Sequence, residues 1–214
     1  MKETNIQFLK DVTRHHCQRM RDGTLHVRDC CLLHIAPSNT IMVNNRIWEK
    51  PDHVSHEDYF KGIGGSFFED SKNLPYVVVP WNRASHFLNV GLRNAWRFNF
   101  EVDYKDDHGL NPFIVYDIKV TQSIWGNIIR HYRNKALKEL DLEFQVALEK
   151  SDQEGIEEIG VIRQMLRDLP HDMNIEQYDT VSKIVSFWPT ILLPAPDFVH
   201  HGAVPDDVLP DDLD

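Results

Sequence analysis

The sequence predicts an α+β protein in which a β-hairpin or small antiparallel sheet packs on a long amphipathic helix. Residues 97–104 alternate between polar and apolar, and after a polar turn a second β-rich stretch follows at 112–120, which is typical of a β-hairpin. Apolar residues then recur every three or four positions from Trp125 to Leu148, as in an amphipathic helix. The composition, 42% hydrophobic and 26% charged, is that of a globular protein with a core.

The first part of the chain predicts a helix, several strands and one long irregular segment. Residues 1–22 have helical spacing and are followed by Gly23, a common helix stop. Residues 25–43 are rich in β-branched and apolar types and are interrupted by Pro-Ser-Asn, which indicates two short strands, or a strand and a turn. A contact loop is expected at about 44–74, where glycines and polar residues dominate. Residues 74–81, bounded by prolines, predict a buried strand.

Helices are predicted on both sides of the β-hairpin in the sequence. Residues 83–96 have helical periodicity and lead into the first hairpin strand. The long helix is expected to start near Thr121 or Ser123, either of which can cap it, and to break at Gly155. A second helix at about 156–169 should end before the proline that follows.

The C-terminal segment differs in composition from the rest of the chain. Five of the eleven prolines lie between Pro189 and Pro210, and no Lys or Arg follows Lys183. We therefore expect one α+β domain at 1–186 and an extended acidic, proline-rich arm at 187–214. The arm would need a partner that supplies cations. The expected interface residues are aromatic anchors and terminal acids: Phe67, Phe68, Trp188, Phe198, Asp206, Asp207, Asp211 and Asp212.

Charge and cysteine usage restrict the class of protein. The net charge is −10, which disfavours non-specific DNA coating and adhesion to anionic membranes. Three cysteines, two of them adjacent, form a poor disulfide framework, so free thiols in a reducing compartment are expected. The N-terminus has no apolar run typical of a signal peptide, and an intracellular, cytoplasmic protein is expected. The histidines and cysteines lack zinc-site spacing, so no metal and no cofactor is expected.

The hairpin carries three residue types that suit metal-dependent hydrolysis. Asp103 lies on the first predicted strand, and Asp117 and Lys119 lie on the second, two residues apart. Two carboxylates on one face can hold a divalent metal, and a lysine beside them can stabilise a transition state. This arrangement over residues 97–135 resembles the core of PD-(D/E)xK nucleases. The resemblance implies a Mg²⁺-dependent nuclease with Asp103, Asp117 and Lys119 as catalytic residues, although Val102 replaces the frequent proline of that family.

A second resemblance covers residues 91–138. Asn111-Pro112-Phe113 leads toward a basic helix, as in region 2 of phage late sigma factors. That resemblance implies a sigma-like transcription factor. Its nucleic-acid-binding residues would be four cations of this helix: Arg130, Arg133, Lys135 and Lys138. The β-branched stretch at 114–120 departs from it, because region 2 is helical there.

Composition and organisation favour a third class of function over these two. An acidic arm with apolar anchors and a long contact loop are typical of a subunit that docks on neighbouring proteins. We therefore expect a non-enzymatic structural subunit of a macromolecular assembly, most concretely a neck or tail component of a tailed bacteriophage virion. Its partners would be other protein subunits with a basic groove for the arm, and its destination would be the virion. Mg²⁺ and nucleic acid enter only under the alternatives.

Overall fold

A computed structural model describes residues 1–44, 50, 53–66, 74–84, 90–106 and 111–196. These residues form helices together with small antiparallel sheets, so the α+β class is confirmed. Contacts divide the chain into two compact units. The first comprises Met1–Leu88 and Arg93–Asp117, and the second comprises Asn89–Leu92 and Ile118–Asp214.

The first unit begins with helix α1, Glu3–Arg21. Its buried side includes Leu9, Val12 and Cys17, which recur at helical spacing. Gly23 follows with a φ of 74°, a left-handed conformation that glycine adopts without a steric penalty. The predicted N-terminal helix and its glycine stop are both confirmed.

A three-stranded antiparallel sheet forms the centre of the first unit. Its strands are β1 (Cys30–Ile35), β2 (Ile41–Asn44) and β3 (Tyr76–Pro80), in the order β2-β1-β3. All residues of β1 are buried, as expected for a central strand that is covered on both faces. Asn39 makes the turn between β1 and β2 with a φ of 66°. The two-strand prediction for 25–43 and the buried strand predicted at 74–81 are confirmed.

The predicted hairpin exists but is shorter than expected. Strand β4, Trp96–Phe98, pairs antiparallel with β5, Ile114–Tyr116, in the register Arg97 opposite Val115. Residues 99–104 form turns and irregular backbone, and residues 118–120 already belong to a helix. The strand predictions for these two segments were wrong. Period-two alternation over 99–104 reflects single buried side chains, such as Val102, in a non-strand segment.

Two further segments also differ from the sequence prediction. Helix α2, His56–Ser66, occupies part of the segment that was expected to be a loop. The helical periodicity of 83–96 corresponds to the end of a short helix, α3 (Trp81–Ala84), a 3-10 segment (Val90–Ala95) and the start of β4. Residues 85–89, 45–49 and 67–73 lie outside the described residues.

In the described part of the second unit, every regular element is a helix or a 3-10 turn. Helix α4 spans Ile118–Glu149, α5 spans Gln153–Asp172 and α6 spans Val181–Ser186. Single 3-10 turns lie at Ile175–Gln177 and Thr190–Leu192. The predicted long helix is confirmed, and the break comes at the residues 150–152, with Ser151 at a φ of 54°, rather than at Gly155. Pro170 lies inside α5, so the predicted stop before it was wrong.

A large cluster of buried residues, among those described, belongs to the first unit. It joins α1, the three-stranded sheet and the β4–β5 pair through residues such as Leu33, Val77, Phe98 and Phe113. A smaller cluster around Cys17, Leu32 and Phe60 lies beside α2. Among the helices that the structure describes, none is long and apolar enough to cross a membrane.

Candidate interaction surfaces

The three residues of the nuclease hypothesis do not share one face of a hairpin. Asp103 lies in an exposed non-strand segment, and its Oδ1 accepts a hydrogen bond from the backbone N–H of Lys105 at 3.0 Å. Asp117 follows β5, and its Oδ2 lies 3.5 Å from Nη2 of Arg97. Lys119 lies in the first turn of α4, in the other unit. The expected placement of Asp117 and Lys119 on one strand is therefore wrong, because the strand ends at Tyr116.

Each described acid of this hypothesis already has a local role. The carboxylate of Asp103 satisfies a turn N–H, and that of Asp117 forms an ion pair with an arginine. Within the ranges that the structure describes, no group of three or more His, Cys, Asp or Glu side chains is placed to hold a metal ion. Lys119 instead lines a cavity of about 840 Å³ in the second unit, together with Arg130, Glu176 and Asp179.

The four basic residues of the sigma-like hypothesis lie on α4. Arg130 donates a hydrogen bond to Oδ1 of Asn127 at 2.7 Å, and Arg133 donates two to Oδ1 of Asn134. Lys135 and Lys138 are exposed. These four cations follow strand β5 in the sequence. In region 2 of phage late sigma factors, the segment that corresponds to β5 is helical. The strand thus separates this chain from that pattern at residues 114–116.

The three cysteines are free thiols buried in the first unit, which agrees with the sequence prediction. Burial, with the charge of Asp29 beside it, raises the pKa of the Cys30 thiol to about 12. Burial also raises the pKa of Cys31. Since the thiolate is the nucleophilic form, burial disfavours a nucleophilic role for these two thiols.

The start of the predicted arm packs on helix α4 of the same chain. Trp188 is half-buried, with its ring centroid 6.3 Å from Trp125 and 5.4 Å from Tyr132. Its indole N–H donates to the carbonyl of Leu192, and the Trp125 indole donates to the carbonyl of Phe187. The expectation that the arm stands apart from the core was wrong for this part, because two indole N–H groups are satisfied there. The other predicted interface residues, Phe67, Phe68, Phe198, Asp206, Asp207, Asp211 and Asp212, lie outside the described residues.

A feature that the sequence reasoning missed is the apolar surface of the α4–α5 helical hairpin. On α5, the side chains of Val161, Ile162 and Met165 are 61%, 41% and 55% exposed. On α4, Leu142, Val146 and Leu148 are also exposed. Leu142 and Val146 fall outside the apolar stripe that runs from Trp125 to Leu148, and an apolar residue out of phase with such a stripe is expected to point away from the core. The stripe does not predict burial at its end, because Leu148 belongs to it and is 51% exposed, whereas Ala147 lies outside it and is buried.

The hairpin that carries this surface is well defined locally. Asp152 caps α5, and its Oδ1 accepts from the backbone N–H of Gly155 at 3.1 Å. Arg163 joins the two helices, since it forms a 2.6 Å ion pair with Asp141 and lies over the ring of Phe144 at 4.7 Å. Ala147 and Leu166 are buried between the helices. The exposed apolar residues are therefore held on a fixed scaffold.

An apolar groove continues this surface. It has a volume of about 430 Å³ and lies between the C-terminal half of α5 and the 187–191 segment. Its apolar lining comprises Met165, Leu169, Phe187, Trp188, Pro189 and Ile191. Asp168 and Asp172 also line it and give it a negative charge. Met165 belongs both to the groove and to the exposed patch, so the two form one surface, called the α5 surface below.

Comparison of this sequence with protein families, with curated proteins and with solved structures finds no match.

Proposed function

We propose that this chain is a non-enzymatic structural subunit of a macromolecular assembly, most concretely a neck or tail component of a tailed-phage virion. The observation that carries the proposal is the α5 surface, with Val161, Ile162 and Met165 exposed beside an apolar groove. Contiguous exposed apolar side chains on a rigid element are typical of protein–protein interfaces.

The energetic reason lies in the position of these side chains. Burying a Val, Ile or Met side chain contributes about 1.5–3 kcal/mol. Val161, Ile162 and Met165 are 61%, 41% and 55% exposed, so roughly half of that contribution is unrealised in the isolated chain. A neighbouring subunit that covers these side chains would add this burial free energy to the stability of the complex. Aromatic and Met side chains such as Trp188 and Met165 are also enriched in interface cores.

Charge indicates the kind of neighbour. Asp168 and Asp172 border the groove, and the whole chain has a net charge of −10. The complementary partner is a protein segment with apolar side chains flanked by Lys or Arg. The acidic residues predicted for the C-terminal arm would favour a basic partner for the same electrostatic reason.

The test uses a matched pair of variants. Met165→Lys adds a positive charge inside the α5 surface, and Gln145→Lys adds the same charge at an exposed position of α4 that does not line the groove. Each variant is supplied during particle assembly, and its amount in purified particles is measured by mass spectrometry. Met165→Lys should lower incorporation by about tenfold, the effect expected of an interface anchor. Gln145→Lys should be incorporated as the unmodified chain is, and both variants should keep its melting temperature.

Two results would overturn the proposal. The chain could be missing from purified particles, or the two lysine variants could be incorporated equally. The nuclease alternative has its own assay, in which the purified chain is incubated with single-stranded, double-stranded and branched DNA and Mg²⁺ or Mn²⁺. Cleavage that Asp117→Asn abolishes would replace the structural role by an enzymatic one.

A further inference from the structure

Helices α4 and α5 each carry an exposed stripe that is apolar in one half and charged in the other. On α4, exposed side chains at steps of three and four residues form the α4 stripe: Lys135, Lys138, Leu142 and Val146. On α5, exposed side chains at the same steps form the α5 stripe: Val161, Met165, Asp168 and Asp172. Residues three and four positions apart share one face of a helix, so each stripe is a single face.

The charges of the two stripes are not paired in the described part of the chain. Neither Lys135 nor Lys138 belongs to an ion pair there. The carboxylate of Asp168 accepts from the neutral amide of Gln164 at 2.9 and 3.0 Å, and this contact leaves its negative charge in place. Because the side chains of both stripes are exposed, the stripes do not cover each other within one chain.

The two stripes match when their helices run antiparallel. The apolar half of the α4 stripe then faces the apolar half of the α5 stripe, and the two lysines face the two aspartates. Both stripes are about 16 Å long, at a rise of about 1.5 Å per residue, so the halves stay in register. In the parallel direction the lysines would face the apolar half of the α5 stripe. Charge and burial therefore select the antiparallel contact.

We propose that a second copy of this chain covers the α5 stripe with its own α4 stripe. The inference rests on the proposed function, because it names the partner of the α5 surface. The basic and apolar α4 stripe of the second copy has the chemistry that the acidic and apolar α5 stripe requires. Each copy carries both stripes, so the contact is heterologous, and heterologous contacts close into a ring or continue as a filament.

A two-fold contact between two α5 stripes is disfavoured by charge. Glu158 precedes the apolar half of this stripe and Asp168 follows it, so acids of the two copies would meet in either direction. In the heterologous contact, two lysines meet two aspartates. Like charges approach each other past the apolar end, where Glu149 of one copy lies near Glu158 of the next.

Sedimentation velocity of the full chain over a range of concentrations tests this contact. The chain should associate beyond a dimer as its concentration rises, because each copy has two different faces. An α4 variant carries Lys135→Glu and Lys138→Glu, and an α5 variant carries Asp168→Lys and Asp172→Lys. Each variant alone should associate at least about tenfold more weakly, since like charges then face each other. A mixture of the two should regain association, because the unmodified α5 stripe of the first meets the unmodified α4 stripe of the second.

The matched control carries Lys2→Glu and Lys10→Glu, which change the net charge as the α4 variant does but at exposed positions of the first unit. It should associate as the unmodified chain does. All these variants should keep the melting temperature, because the substituted side chains are exposed. The inference is overturned if the unmodified chain stays monomeric, if the α4 variant associates as the control does, or if the mixture associates as weakly as its components.

Failure of this inference differs from failure of the proposed function. A chain that stays monomeric, while Met165→Lys still lowers its incorporation into particles, overturns the self-contact and keeps the structural role, with another protein as the partner. A chain that associates through the two stripes but is missing from purified particles keeps the self-contact and overturns the proposed role in the virion.

Discussion

Strand β1 and helix α5 show two opposite ways in which this chain uses apolar residues. All the residues of β1 are buried, and neighbouring strands cover both of its edges. On α5, Leu166 is the residue that counts as buried among those described, while Val161, Ile162 and Met165 remain exposed. The sheet therefore buries its apolar residues, whereas the α4–α5 helical hairpin leaves several of its apolar residues exposed.

Helix α4 repeats this contrast within one element. Its N-terminal half buries Ile124, Trp125, Ile128 and Ile129, whereas Ala147 is the buried residue of its C-terminal half. Both halves have apolar residues at helical spacing, so periodicity alone predicts burial equally for both. The difference depends on which neighbours are present. The 187–192 segment covers the Trp125 region through the Trp188 ring, and α5 covers one side of the second half.

The largest expected effect is loss of stability from the core of the first unit. Leu33→Ala removes a fully buried side chain of β1 and should lower the free energy of unfolding by about 3 kcal/mol. Leu142→Ala makes the same chemical change at a 64% exposed position of α4 and should change it by less than about 0.5 kcal/mol. Urea denaturation followed by circular dichroism measures both. If the two variants lost similar amounts of free energy of unfolding, the surface of the α4–α5 helical hairpin would have to be covered in the isolated chain.

The second prediction concerns how the free energy of unfolding depends on pH. It again distinguishes the buried core of the first unit from the α4–α5 helical hairpin. Burial lowers the pKa of His16 from 6.5 to about 4, and burial lowers that of His34 as well. Below pH 6.5 the unfolded chain therefore binds protons that the folded chain does not take up until about pH 4. The free energy of unfolding should fall as pH decreases through this window, by about 1 kcal/mol per pH unit from His16.

The measurement is urea denaturation at several pH values between 7 and 4.5. His16→Gln keeps a side-chain N–H for the Val78 carbonyl and removes the titration, so its stability should depend less steeply on pH. The same slope in the unmodified chain and in His16→Gln would contradict the prediction, since carboxylates elsewhere would then account for the whole pH dependence.

The smallest expected effect concerns the start of α5 in the α4–α5 helical hairpin. Asp152→Ala removes the side-chain oxygen that accepts from the Gly155 N–H and should cost about 1 kcal/mol of stability in the second unit. Asp152→Asn keeps an acceptor at the N-cap and should cost less. Hydrogen exchange at the first turn of α5 reports the change locally. Equal protection in the two variants would mean that packing against α4, and not the cap, holds the start of α5.

Several features of the fold were predictable because they depend on local chemistry. The glycine stop after α1, the turn at Asn39 and the strand at 76–80 each follow from residues that are adjacent in sequence. The β4–β5 hairpin is shorter than the sequence predicts. Alternation at 99–104 and β-branched residues at 118–120 favour strands, but residues 118–120 form the start of helix α4. β-Strand propensity is a weak predictor for residues that belong to a helix in the folded chain.

The candidate sites were less predictable, because they require distances between residues far apart in the chain. The motif of Asp103, Asp117 and Lys119 requires residues 117–119 to be a strand, whereas β5 ends at Tyr116 and α4 begins at Ile118. The arginines at 19, 28 and 83 have no motif spacing, and the tertiary structure places them around one cavity. Sequence spacing alone could not decide how either group of residues is arranged in the folded chain.

By itself, the sequence determined the α+β class, the long helix, the acidic charge and the free thiols, since composition and short-range periodicity control these properties. Only the tertiary structure decided which apolar residues are covered, because burial depends on the elements that pack over a side chain and not on the side chain itself. Thus Leu33 and Leu142 are the same residue type, one in the core and one on the surface. In the same way, packing decided that Arg83 is a buried arginine with its guanidinium carbon 5.0 Å from the centre of the Phe113 ring.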